Sequence, residues 1–100
     1  MKAIVLVHGG AGLIPDSRVH RKLQGVQKAV LAGCKTLLKE ENGLNAVCSA
    51  VASMEDDPVM NAGFGSVLDE DGKVSMDAAI CEGKNLQSGG ILGVGCNLNS

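Results

Sequence analysis

One hundred residues amount to one small domain, and a hydrophobic content of 45% is enough to form a core. The formal net charge of −2 leaves no basic face to neutralise phosphates, which excludes nucleic acid as a partner. No apolar run approaches the roughly 18 residues of a membrane span, and the N-terminus lacks the length and cleavage pattern of a secretory signal, so neither membrane nor secretion is expected.

Residues 2–7 read KAIVLV, a continuous aliphatic run that predicts a strand buried on both faces. His8-Gly9-Gly10-Ala11-Gly12 follows at once. Glycines after a strand serve several chemistries, and three fail here. A dinucleotide fingerprint needs a third glycine where Pro15 stands. An oxyanion loop of the α/β-hydrolase kind needs a G-x-S-x-G elbow, which the chain lacks. A P-loop needs Ser or Thr after Gly-Lys, and Gly83-Lys84 is followed by Asn85. A small nucleotide-binding module built on HGGAG therefore has little to support it.

Asp16 or Ser17 is placed to cap a first helix running to about Glu41, with Val19, Leu23, Val26, Val30, Leu37 and Leu38 at helical spacing. Arg18, Arg21, Lys22, Gln27 and Lys28 fill the other side, and His20 reads as a solvated surface histidine. Asn42-Gly43 reads as the stop. A second helix spans about 44–54, with Leu44, Val47, Val51 and Met54 as its apolar stripe and Ala46 and Ala50 allowing close packing. Glu55, Asp56 and Asp57 then oppose the helix dipole, which calls for a cation or for nearby donors. An EF-hand is excluded by the spacing of the acids.

Asn61 opens a glycine-rich bend around Phe64, the chain's only aromatic residue. Asp71-Gly72 sits between two short apolar runs and predicts a hairpin. Taken alone, this stretch is either a structural hairpin with a glycine-rich entry or a bend that presents Asn61 to a site. Cys81 to Asn85 reads as a polar turn, and GGILGVGC at 89–96 as a further strand. Cys34, Cys48, Cys81 and Cys96 form no C-x-x-C pair, so zinc spacing is absent and four buried core thiols are expected.

HGGAG at 8–12, two helices, then MEDDPVMNAGFGSVLDEDGKVSMDAAICEGK at 54–84 closely resemble the N-terminal part of the plant-type asparaginases, also called isoaspartyl peptidase/L-asparaginases. The resemblance covers practically the whole chain. It implies an α/β (α+β) fold: part of an αββα Ntn-hydrolase sandwich, with two N-terminal helices and a mostly antiparallel sheet. Residues 1–100 would be an incomplete N-terminal (alpha-chain) portion of a cytoplasmic hydrolase. Such enzymes cut themselves, and the N-terminal threonine so released attacks asparagine side-chain amides or isoaspartyl bonds.

Carried over by position, the resemblance gives His8, Gly9 and Gly10 a supporting role in shaping the cleavage region. It places Asn61 beside the nucleophile. Backbone carbonyls of Met54, Glu55, Asp57, Met60, Ala62 and Phe64 would hold a structural sodium ion, a hard cation suited to oxygen ligands. No other cofactor is expected. The nucleophile itself is missing, because the one threonine, Thr36, lies within the first helix. Asn45 and Cys48 replace two usual acids. The chain is therefore expected to be inactive alone and to need the C-terminal (beta) portion or a full-length homologue as partner. The alternative is a truncated or diverged, inactive family member that acts, if at all, by binding a homologue.

Overall fold

The structure, a computed structural model, describes residues 2–60, 72–73 and 75–94. Two helices, α1 (Asp16–Glu40) and α2 (Gly43–Glu55), precede two strands, β1 (Met76–Glu82) and β2 (Gln87–Val94). This is the expected α+β fragment with an antiparallel sheet.

Strong helix formers fill α1, with no proline inside it and with Asp16 and Lys39 complementing the dipole at its two ends. Its N-cap is Pro15, without a side-chain cap, in place of the expected Asp16 or Ser17; the Arg18 N–H donates to Pro15 O at 2.8 Å. The stop also falls one residue early. Glu41 takes the left-handed conformation (φ 51°) and donates its N–H to Leu37 O. Asn42 is extended because it caps α2 instead, its Oδ1 accepting the Asn45 N–H at 3.1 Å.

The buried stripe differs from the one the leucines and valines predict. On α1 it is Gly25, Ala29 and Gly33, and on α2 Ala46, Ala50 and Glu55. Small residues let the backbones approach: a Cβ on Gly33 would lie 3.3 Å from Ala46 O, 3.3 Å from Ala50 Cβ and 3.1 Å from Val5 Cγ1. Thr36 donates its hydroxyl to Ser49 Oγ across the seam at 2.7 Å, and Asn45 Nδ2 donates to Glu40 Oε1 at 2.9 Å. Leu23, Leu38, Val47 and Val51 of the expected stripes lie on the surface.

Residues 2–7 do not form the expected strand. Among the described residues the only sheet is β1–β2, so this run has no ladder partner. It keeps a period of two in burial: Val5 and Val7 are half-buried, Ile4 and Leu6 exposed. One face therefore rests on α1 and the other is bare.

β1 and β2 form a hairpin that turns at residues 83–86. Glu82 pairs with Gln87, Cys81 with Ser88 and Ile80 with Gly89. Leu86 has φ 55°, and Asn85 Oδ1 accepts the Gln87 N–H at 3.5 Å, an Asx device that closes the turn. Near its start β1 shifts register against β2, from Met76↔Val94 to Ala78↔Ile91, as at a bulge. Gly72 has φ 74°, and the separate hairpin expected at Asp71-Gly72 rests on residues 61–71, which lie outside the described residues. The cysteines are not core thiols: Cys48 and Cys81 are exposed, Cys34 is half-buried, and Cys96 lies outside the described residues.

Candidate functional site

The glycine loop sits where residues 2–7 leave α1. Gly10 has φ 106°, a conformation that suits glycine, and its N–H donates to His8 Nδ1 at 3.0 Å. That bond requires the lone pair on Nδ1, so neutral His8 carries its proton on Nε2. Gly9 rests on α1: a Cβ there would lie 3.5 Å from Val26 Cγ1 and 3.7 Å from Lys22 Cε.

The end of α2 approaches the same place. The Asp57 N–H donates to Met54 O at 3.1 Å, and the Met60 N–H donates to Asp57 O at 3.1 Å. Asp57 is 8% exposed, and its carboxylate is held from two sides. Arg21 grips it with both terminal nitrogens, Nη2 to Oδ1 at 3.1 Å and Nη1 to Oδ2 at 3.3 Å. Val59 donates its N–H to Oδ1 at 3.1 Å. The acids that oppose the helix dipole are thus offset at Asp57 by donors, one of the two remedies the sequence calls for.

His8, Gly9, Gly10, Met54, Glu55 and Met60 all line one open cleft of about 1360 Å³ between the helices and the hairpin. The structure therefore brings together the supporting residues of the glycine loop and three of the proposed carbonyl donors. Asp57 turns its side chain away, toward a smaller depression that it shares with Arg21. Asn61, Ala62 and Phe64 lie outside the described residues. Among the described residues no cluster of three or more His, Cys, Asp or Glu side chains could hold a metal ion. No described helix is long and apolar enough to cross a membrane.

Two residues of this site were not apparent from the sequence. Arg21 is one of several charges along α1, and nothing in its spacing marks Asp57 as its partner. Gly25 carried a usable signal: with Ala29 and Gly33 it repeats every four residues in mid-helix, where glycine disfavours the helix and so marks close approach.

An α+β segment thus brings a glycine loop and the turn after α2 to one cleft. The asparaginase family model matches residues 1–99, and the chain belongs to this family. It is 52% identical to a plant-type L-asparaginase of Pyrococcus abyssi over 91 residues, which is 90% of this chain and 30% of the relative. It is 50% identical to the plant-type L-asparaginase of Thermococcus kodakarensis over 93 residues, 92% of this chain and 30% of the relative. It is also 45% identical to the isoaspartyl peptidase/L-asparaginase of Homo sapiens over 100 residues, 99% of this chain and 32% of the relative. The chain thus spans about a third of the length of the curated relatives it matches.

Proposed function

We propose that this chain is the N-terminal segment of a threonine-nucleophile L-asparaginase/isoaspartyl peptidase. It would support hydrolysis of asparagine side-chain amides and isoaspartyl bonds carried out by a nucleophile outside residues 1–100. The observation that carries this reading is the meeting of His8, Gly9 and Gly10 with the Met54–Met60 turn on one cleft, in a chain whose residues 1–99 match the family. In that chemistry the threonine hydroxyl attacks the amide carbon while the free α-amine takes its proton. Ammonia or an amino acid leaves, and water then releases aspartate from the acyl-enzyme.

Thr36 does not take that role in this chain. It is held inside α1, and its hydroxyl is donated to Ser49. Asn61 is assigned a place beside the nucleophile, and the segment works in the cytoplasm. A structural sodium ion would be held by the carbonyls of Met54, Glu55, Asp57, Met60, Ala62 and Phe64. The turn geometry is compatible with this at the two carbonyls where it bears on the point. Met54 O and Asp57 O accept turn hydrogen bonds, and a carbonyl oxygen has a second lone pair. The ion would stiffen the turn without entering the reaction.

The test is hydrolysis of asparagine and of a β-aspartyl dipeptide by the purified chain, alone and mixed with the C-terminal portion of a plant-type relative. Inactivity alone and recovery on mixing is the expected result. Activity of the chain alone would overturn the assignment of the nucleophile. Inactivity in both arms would favour a second reading, an inactive family member that acts only by binding a homologue. One observation gives that reading some weight. Asn45 stands where the family has an acid, and its amide donates to Glu40, which a carboxylate could not do.

A further inference from the structure

Gly25 lies in the middle of α1, where alanine would favour the helix. A Cβ there would lie 2.8 Å from Asp57 Oδ2, 2.8 Å from Met60 Cε and 3.5 Å from Val59 Cγ1. Three residues of one non-helical turn therefore meet a single missing methyl group. Gly33 serves differently, since it admits the backbone of α2. One helical turn before Gly25, Arg21 grips the Asp57 carboxylate from the same face. Asp57 has a short side chain, held by Arg21 and by the Val59 N–H, so it cannot yield to a Cβ without breaking those bonds. Met60 is 3% exposed and lines the cleft that the glycine loop also lines.

We propose that Arg21 and Gly25 are positioning residues for the hydrolase site: through the Asp57–Met60 turn they fix the wall of the cleft that Met60 shares with His8, Gly9 and Gly10. This rests on the reading above that the cleft serves the nucleophile. Arginine is needed rather than lysine, because only a guanidinium fork reaches both carboxylate oxygens in one plane. Glycine is needed because any Cβ occupies the space of the carboxylate.

The test compares parent, Gly25→Ala, Arg21→Lys and Arg21→Met, each mixed with the C-terminal portion of a plant-type relative. Residue-resolved hydrogen exchange and β-aspartyl dipeptide kinetics are read on the same samples. In Gly25→Ala and Arg21→Met the Val59 and Met60 amides should exchange about tenfold faster, with the amides of α1 and α2 within about twofold of parent. In the same variants kcat should fall about tenfold with KM nearly unchanged, and Arg21→Lys should fall between parent and Arg21→Met. The proposal is overturned by unchanged exchange at Val59 and Met60, by equal acceleration throughout the helices, or by faster turn exchange with kcat intact. A parent whose turn amides are unprotected overturns it as well. If the parent mixture is inactive, it is the assignment of function that fails, and the exchange comparison then decides the positioning claim by itself.

Discussion

The two faces of α1 differ in an instructive way. The face toward α2 and residues 2–7 is built from Gly25, Ala29 and Gly33, and it is closed. Elsewhere on the same helix stand Leu31 and Leu38, 68% and 84% exposed. Size therefore runs opposite to burial. Where the helix is packed, it is packed by the close approach of backbones, which needs the absence of side chains. At Leu23, Leu31 and Leu38 it leaves large side chains exposed. No large side chain in the described structure is fully buried. What holds the helix pair together is dispersion across a narrow seam and a few hydrogen bonds, while the apolar area that usually dominates stability is still in water.

The seam is the place to break this contrast. In Gly33→Leu the first added carbon already lies within 3.3 Å of Ala46 O and Ala50 Cβ, and within 3.1 Å of Val5 Cγ1. Two of those neighbours are a backbone carbonyl and a Cβ, which cannot swing aside. Overpacking of this kind costs about 3 kcal/mol, and the helices should separate. Helical circular dichroism across a urea titration checks it: the midpoint should fall sharply or the transition should vanish. A midpoint like the parent's would mean that the seam is looser than described.

The hydrogen bonds that flank the seam come next. Thr36→Val keeps the shape but removes the hydroxyl given to Ser49, and should cost about 1 kcal/mol. Asn42→Ala removes the oxygen that caps α2 and should also cost about 1 kcal/mol, with the loss confined to the first turn of α2. Hydrogen exchange separates the two. Thr36→Val should loosen both helices together, whereas Asn42→Ala should expose mainly the first amides of α2. If both variants frayed only α2, the Thr36–Ser49 bond would not be joining the helices.

The sequence conveys one side of this contrast and hides the other. Helix bounds were within reach because local signals set them: α2 begins beside Asn42 and ends in the acidic run at 55–57, close to the expected limits. Family membership was legible because HGGAG and the DDP-x-x-NAG run are specific together, and the α+β class came with it. The buried faces were legible in part: Ala46 and Ala50 pack closely as expected, and Val26, Val30, Leu37, Leu44 and Met54 are half-buried, but Leu23, Leu38, Val47 and Val51 of the expected stripes are exposed. Periodicity marks where apolar residues lie, while burial depends on what lies opposite, and residues 1–100 leave the large apolar face without a partner among the described residues. The strand expected at 2–7 fails for the same reason: an aliphatic run becomes a strand only beside another strand. The site was half legible. The HGGAG motif drew attention to His8, Gly9 and Gly10, which line the cleft, but the Arg21–Asp57 pair joins residues 36 apart. No local pattern encodes a pairing at that distance.

The outer face supplies the smallest effect and the sharpest form of the comparison. Leu31→Ser and Leu38→Ser remove apolar groups that contact mostly water, so little transfer free energy is lost. Serine is slightly poorer than leucine in a helix, and the net change should be within about 0.5 kcal/mol. The urea midpoint should barely move, in contrast to Gly33→Leu a short way along the same helix. Solubility should respond instead. Ile4, Leu6, Leu31 and Leu38 leave apolar surface exposed, and exposed apolar surface invites association. Light scattering of the isolated chain should therefore fall in the double serine variant while its helicity stays the same. A large loss of stability would mean that these leucines are covered in solution, and that the chain closes its apolar face against a copy of itself.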